Sequence, residues 1–191
     1  MSYDISLKDP VTGETIEIDE PHFMRGGTYA VGGTNLLWLN ITYNYADYYY
    51  EATDDDPRFA HDEITAYYAD GRTGPVVTKY GIRGIYGKTG AESIPMLKDM
   101  ISRIEGKYKK DGEWVTTERE EEVWLDLDGR EIDPFTAVTN GVEHTIENVR
   151  KKIYEGDTDD YWKATAVNAV KPLYSLVAMA QMRPDGVWDG D

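Results

Sequence analysis

The chain has 191 residues, of which 40% are hydrophobic and 12% aromatic, and this composition fits one folded domain and excludes intrinsic disorder. No apolar run is long enough for a transmembrane helix. The chain contains no cysteine, which excludes a disulfide scaffold and thiolate metal sites. Because its first residues lack the basic and apolar regions of a signal peptide, we expect a soluble protein of the cytoplasm.

The charge is strongly acidic and unevenly distributed. The net charge is −16, from 20 Lys and Arg against 36 Asp and Glu. Residues 71–110 reverse this balance with nine basic and three acidic side chains, a local charge of +6 that leaves −22 on the other residues. Because an acidic surface repels nucleic acids and anionic membranes, we expect direct binding to neither. The acidity either keeps the protein soluble or imitates nucleic acid in the basic groove of another protein.

Alternating apolar and polar residues predict an opening β-hairpin. Residues 3–8 and 15–19 alternate with the period of a half-buried strand, and turn residues separate them. A glycine-rich loop is expected at 26–34, and the β-branched and aromatic residues of 36–45 predict another strand. Three tyrosines at 48–50 either continue that strand or leave it.

Three helices are predicted from apolar residues at three- and four-residue spacing. The first carries Ile94, Leu97, Ile101 and Ile104, with Pro95 in its first turn. The second carries Val142, Ile146, Val149 and Ile153 and ends at Gly156. The third carries Val167, Val170, Leu173, Val177 and Ala180, with a kink expected at Pro172.

The order of these elements predicts an α+β fold. We expect a single domain over residues 1–191, with N-terminal antiparallel strands followed by about three helices. Two segments are interpreted as insertions: a mostly polar loop at 53–79, and residues 107–135, which include a hairpin from Trp114 to Gly129.

A glycine-rich stretch at residues 80–90 runs into the first predicted helix and is a candidate anion site. Glycines allow close backbone approach, and a helix N-terminus presents unpaired N–H groups. Arg83, Lys88 and Thr89, with Tyr86 nearby, would then hold a phosphate. The stretch is not a Walker A loop, because Ile82 stands where that motif requires glycine. The alternative is a tight strand-to-helix connection whose cations balance an acidic neighbourhood.

Two further groups of residues are candidate ligand contacts. His22, Arg25, Thr28 and Thr34 lie in or beside the 26–34 loop and could bind a polar ligand, or His22 could act as a catalytic base. No carboxylate or nucleophile motif accompanies His22, so a hydrogen bond from His22 to the loop is the alternative.

The second group follows the predicted strand at 36–45. Asn40, Thr42 and Asn44 are expected on one face of the strand and would form the floor of a pocket, with Tyr43 beside them. Polar residues are equally ordinary on a strand face that contacts solvent.

The sequence predicts no metal site and no cofactor. The three histidines are far apart, with no partner histidine at ligand spacing. Residues 126–129 resemble the middle of a calcium loop, but Phe135 stands where the closing glutamate belongs, so a structural turn is expected.

Three blocks of the sequence are similar to a family of uncharacterised small proteins from bacteriophages, prophages and bacterial mobile elements. They are 21–45 (with PHFMRGGTY and WLNITYNY), 81–95 (GIRGIYGKTGAESIP), and 160–188 (from DYW to MRPDGVW). The resemblance covers half to two-thirds of the chain and leaves out 53–79 and 107–135. It implies an infected bacterial cytoplasm as the setting and no particular activity.

These observations favour a phage-type accessory protein that binds its target stoichiometrically. The first hypothesis is binding of a small anionic or nucleotide-like ligand, as in sequestering a host defence signal, by the residues named above. The second is an acidic, nucleic-acid-mimicking inhibitor of a host enzyme, dependent on Asp54–Asp56 and Glu118–Glu122. The third is a small enzyme that uses His22 with Arg25.

Overall fold

The computed structural model describes residues 2–24, 32–59, 61–67 and 73–190. They form two compact units, a larger one of residues 1–113 and 156–191 and a smaller one of residues 114–155. The strands are β1 Ser2–Lys8, β2 Glu17–Met24, β3 Gly32–Leu36, β4 Trp38–Thr42, β5 His61–Tyr67, β6 Thr73–Lys79, β7 Lys109–Lys110, β8 Glu113–Trp114, β9 Thr116–Asp126, β10 Glu131–Ile132, β11 His144–Tyr154 and β12 Val187–Gly190. The α-helices are α1 Ala46–Thr53, α2 Gly90–Tyr108, α3 Pro134–Thr139 and α4 Ala166–Met182.

The central sheet of the larger unit joins the two ends of the chain. Its order is β12-β1-β4, with β1 antiparallel to both neighbours. Ile5 is opposite Leu39 on one side and Gly190 on the other. Alternate residues of β1, including Ile5 and Leu7, are fully buried, which is the pattern expected of a half-buried strand.

The predicted opening hairpin is only partly formed. The turn is present, because Asp9 Oδ1 accepts from the backbone N–H groups of Val11 and Thr12 at 2.9 and 3.1 Å. After the turn, Thr15 forms an isolated bridge with Lys8, and the strand that follows, β2, pairs with β3. β1 pairs instead with β12 and β4, which local alternation could not indicate.

The predicted strand at 36–45 is wrong at its end. β4 stops at Thr42, a 3-10 helix covers Tyr43–Tyr45, and α1 begins at Ala46. The three tyrosines at 48–50 therefore belong to a helix that the sequence analysis left undecided. Thr42 caps the turn, because its hydroxyl accepts from the Asn44 N–H at 3.3 Å.

Two of the three predicted helices are confirmed as α2 and α4, and they pack against each other. Leu97 of α2 and Leu173 of α4 are fully buried, as their spacing requires. Trp188 of β12 joins this core, and its indole N–H donates to Ser93 Oγ of α2 at 2.7 Å. Pro172 lies inside α4, as predicted.

The predicted loop at 53–79 contains a hairpin instead. β5 and β6 are antiparallel, in continuous register from His61 opposite Lys79 to Tyr67 opposite Thr73. Val76 and Val77 favour a strand at β6, but Pro75 and the surrounding polar residues favoured the prediction of a loop.

The smaller unit is a three-stranded antiparallel sheet, in the order β10-β9-β11, with the short helix α3. The helix predicted from Val142, Ile146, Val149 and Ile153 is wrong, because these residues lie in or just before strand β11. All four are β-branched, which favours a strand, and β11 pairs along its full length with β9. The turn expected at 126–129 is confirmed, with Gly129 at φ +76°.

The α+β fold class is confirmed, with N-terminal antiparallel strands and four α-helices within the described residues. The single domain and the insertions at 53–79 and 107–135 stay predictions. Among the described helices, none combines the length and apolar character needed to cross a bilayer.

Candidate functional site

His22 and Thr34 are directly opposite each other in the β2–β3 pair. His22 Nε2 lies 2.7 Å from the carbonyl oxygen of Leu36. Because a carbonyl only accepts, Nε2 must carry the proton and donate it. This hydrogen bond joins β2 to the end of β3 and not to the 26–34 loop, which was the partner expected from the sequence. Two other residues proposed from this part of the sequence, Arg25 and Thr28, lie outside the described residues.

Asn40 is buried on β4 and holds the start of β1. Its Nδ2 donates to Ser2 Oγ and Asp4 Oδ1, both at 2.8 Å. Asp4 in turn lines an open groove of about 650 Å³ on the outer face of the central sheet. That groove also contains the ion pair of Lys8 with Asp189, so two carboxylates accompany one ammonium group. Its charge does not favour an anionic ligand.

Arg83 and Tyr43 form the part of the predicted site that the structure does bring together. The Arg83 guanidinium lies 4.8 Å from the centre of the Tyr3 ring and 5.2 Å from that of Tyr43. It also donates to the Tyr43 hydroxyl. Burial, with a contribution from Tyr50, raises the pKa of Tyr3, so its hydroxyl stays protonated at neutral pH.

The other residues predicted near Arg83 have separate structural contacts. Asn44 is exposed and its Nδ2 donates to the Trp162 carbonyl at 2.8 Å. Tyr86 packs closely against β12, since a Cβ at Gly190 would lie 2.5 Å from the Tyr86 hydroxyl. Asn44 and Tyr86 therefore hold neighbouring segments in place.

The N-terminus of α2 contains a carboxylate at the position proposed for a phosphate. Thr89 is the N-cap, and its hydroxyl accepts from the Glu92 N–H at 3.2 Å. The Glu92 carboxylate accepts from the Thr89 N–H at 2.8 Å, which completes a capping box. These hydrogen bonds, together with nearby Lys88, lower the pKa of Glu92. Thr89 and Lys88 thus serve a strand-to-helix connection, the alternative stated for this stretch.

The basic side chains of α2 are engaged by acidic residues of α1 and the segment after it. Arg103 pairs with Asp55 and, at 3.9 Å, with Asp56, and Lys107 pairs with Glu51. These contacts cross a groove of about 500 Å³ between α1 and α2. Arg103 and Lys107 are therefore balanced within the larger unit, as are Asp55 and Asp56.

Asp56 is the central acid of this arrangement. Its side chain is 4% exposed, and Arg58 donates to both of its oxygens, at 2.9 and 2.6 Å. The same guanidinium reaches Asp99 of α2 at 2.5 Å. The side-chain hydrogen bonds from Arg58 lower the pKa of Asp56 from 3.8 to about 2.

The glutamates of β9 form the second acidic cluster, in the smaller unit. Glu118, Glu120 and Glu122 are exposed on one face of the strand. Lys152 and Arg150 of β11 lie opposite Glu118 and Glu120, and Arg150 Nε contacts Glu120 at 3.2 Å. Neighbouring cations therefore offset much of the charge on this face.

The segment between β9 and β11 exposes large apolar side chains among acids. Four such residues share high exposure: Leu127 at 74%, Phe135 at 77%, Val138 at 67% and Val142 at 37%. Residues 126–143 contain five acidic side chains and one basic one, Arg130. We call residues 126–143 the acidic–apolar segment. The sequence analysis missed it, because Val142 was assigned to a helix and Phe135 was considered only as a mismatch to a calcium loop.

Within residues 2–24, 32–59, 61–67 and 73–190, no group of three metal-binding side chains comes together. No family model, no curated protein and no solved structure matches the chain. The resemblance to phage and mobile-element proteins therefore stays a prediction, and the function has to be inferred from the site itself.

The Asp56 contacts predict a pH dependence of stability. A folded-state pKa of about 2, below the ordinary 3.8, means that Asp56 stabilises the fold above pH 4, and that this contribution is lost as the pH falls through 2. In an acid titration, the free energy of unfolding should therefore fall less steeply between pH 4 and 2 in Asp56→Asn than in the wild type. Asp54→Asn, at an exposed neighbour, is the control, and equal slopes in the wild type and Asp56→Asn would contradict the assignment.

Proposed function

We propose that the chain is a phage-type accessory protein that binds a protein partner stoichiometrically through the acidic–apolar segment. The observation that carries the proposal is the exposure of Phe135 and Val138. They are three residues apart on α3 and so lie on the same face of the helix, while Ala137 between them is buried.

Exposed apolar side chains surrounded by polar ones are typical of protein interaction sites. Phe135 is the only aromatic residue of α3, and aromatic side chains often contribute most of the energy of an interface. Asp133 caps α3 by accepting from the Thr136 N–H at 2.8 Å, which holds the helix and its exposed face in place.

The charge of the segment indicates the chemistry of the partner. Its net charge is −4, and the whole chain carries −16. We infer that the partner has an apolar pocket with a basic rim, as on a host protein that binds nucleic acid. In this proposal the chain acts as an acidic protein inhibitor. The contact differs from pure charge mimicry, because Glu118 and Glu120 of β9 lie opposite cations of β11.

The setting rests on the sequence resemblance, which implies an infected bacterial cytoplasm. There, stoichiometric binding of a host protein would suit an antagonist of host defence. The proposal requires no catalytic residue and no cofactor.

Replacing Phe135 tests the proposed contact. Phe135→Ser should weaken partner binding at least tenfold, since loss of a central aromatic anchor costs about 2 kcal/mol or more. The measurement is retention of host proteins from a bacterial lysate on the immobilised chain, quantified by mass spectrometry at 0.1 and about 0.5 M salt. The proposal expects one host protein at 1:1 stoichiometry, with reduced retention at the higher salt concentration.

The matched control is Val11→Ser, at an apolar residue 91% exposed in the larger unit. Both variants should keep the wild-type melting temperature, because both side chains are on the surface. Retention of the same partner by Phe135→Ser at the wild-type level would contradict the proposal.

A second candidate function is binding of a small anionic ligand by Arg83 and Tyr43. It is favoured by the donation from Arg83 to the Tyr43 hydroxyl, which leaves the hydroxyl proton for a ligand oxygen. Arg83 also suits phosphate, since its planar guanidinium can bind two oxygens. Asn40, Asn44, Tyr86, Lys88 and Thr89 have the structural contacts described above, so this site is smaller than the one predicted from sequence.

Thermal unfolding in the presence of inorganic phosphate, nucleotides, cyclic oligonucleotides or NAD-derived molecules tests this candidate. Ligand at about 100 times its dissociation constant stabilises the fold by roughly 2.7 kcal/mol. Tyr43→Phe keeps the ring and removes the hydroxyl, so it should reduce the shift. A panel without any shift, or a shift unchanged in Tyr43→Phe, would eliminate the candidate.

A further inference from the structure

Strand β11 forms a long exposed edge of the sheet in the 114–155 unit. The strand has eleven residues, pairs with β9 along its full length, and is exposed at most positions. Among the described strands, none pairs with its other side. Long exposed edges present unpaired backbone groups and invite pairing with another strand.

The alternation of hydrogen-bonded and non-hydrogen-bonded pairs between β9 and β11 shows which residues of β11 have backbone groups at that edge. The Glu155 N–H donates to the Val115 carbonyl at 3.0 Å, and these residues continue the β9–β11 register. Odd-numbered residues of β11 therefore bond to β9, because hydrogen-bonded pairs alternate along an antiparallel ladder. The N–H and C=O groups of the even-numbered residues, from His144 to Tyr154, are directed to the open edge.

The charges of β11 are separated along the strand. The first half contains Glu147, and the second half contains Arg150, Lys151 and Lys152. Parallel pairing of two copies would place like charges opposite each other. Antiparallel pairing brings the acidic half of one copy against the basic half of the other, which stabilises cross-strand pairs.

We propose that β11 is the interface of a homodimer, in which two copies pair antiparallel with Val149 opposite Val149. The outward N–H and C=O groups limit the possible registers of this pairing. They form hydrogen bonds between the two copies only where even-numbered residues lie opposite even-numbered residues. In the proposed register Glu147 faces Lys151 twice by symmetry. Two neighbouring registers are less favourable. Moving the centre of the pairing one residue toward the C-terminus places Arg150 opposite Arg150. Moving it one residue toward the N-terminus removes the Glu147–Lys151 pairs.

The pairing would also give Glu147 a counter-ion. In this part of the chain Lys151 already contacts Glu131 at 2.8 Å and Glu121 at 3.5 Å, whereas no cation pairs with Glu147 among the described residues. The dimer joins two three-stranded sheets into one of six strands. This inference uses the edge of β11 and not the acidic–apolar segment, so it stands or fails independently of the proposed function.

Cysteine cross-linking tests the register directly, because the chain has no cysteine of its own. In a dimer of Val149→Cys, the cysteines of the two copies would form a non-hydrogen-bonded pair. Their Cα atoms would be about 4.5 Å apart, which is within the range for a disulfide. Mild oxidation should give a covalent dimer on a non-reducing gel. Thr145→Cys is the matched control, since its two copies would be roughly 27 Å apart.

Analytical ultracentrifugation measures the association without cross-linking. The wild type should sediment at twice the 21.7 kDa of the chain. Glu147→Lys places like charges opposite each other at two positions and should raise the dissociation constant about tenfold. Glu143→Lys makes the same charge change just before β11 and should leave association unchanged.

A wild-type monomer at about 100 µM would overturn the proposal. So would equal cross-linking of the two cysteine variants, or equal association of Glu147→Lys and Glu143→Lys. Circular dichroism of each variant shows that the fold is retained. Phe135→Ser should dimerise normally, which separates a failure of this interface from a failure of the proposed function.

Discussion

The ion pairs between α2 and the Glu51–Asp56 segment balance part of the positive charge of residues 71–110, the segment with the candidate anion site. Before folding, the chain has a positive segment within an acidic sequence, which suggests an anion site. In the folded larger unit, Arg103 and Lys107 contact the acids of α1 and the residues after it. Glu92 also accepts from the Thr89 N–H at the N-terminus of α2 and completes its capping box.

The 114–155 unit contrasts with the larger one because it is too small to bury its apolar residues. In the larger unit α2 and α4 cover one face of the central sheet, and Trp188 completes the core. The smaller unit buries Val123, Ala137 and Ile153, but exposes Phe135 and its neighbours. Its buried Glu155 is held by Arg119 at 2.9 Å and by the Thr117 hydroxyl, so the sheet is well ordered at its base. A unit with unburied apolar side chains is suited to binding.

The sequence predicted those elements in which burial of one face produces a regular spacing of apolar residues. The stripes of α2 and α4 face one core, and β1 alternates because one of its faces is buried. The spacing of Val142, Ile146, Val149 and Ile153 fits a helix equally well, and the pairing with β9 that makes it a strand is a long-range contact. The site was less predictable still. Arg83 and Tyr43 lie 40 residues apart and meet only in the fold, while the cap role of Thr89 depended on Glu92, which the analysis had not considered.

Hydrogen–deuterium exchange of the chain, alone and bound to its captured partner, tests the central claim most directly. The account predicts slower exchange on binding in residues 126–143, with no change at residues 81–89, where Arg83, Lys88 and Thr89 lie. Protection that is instead confined to residues 81–89 would contradict it and place the binding site at the glycine-rich stretch.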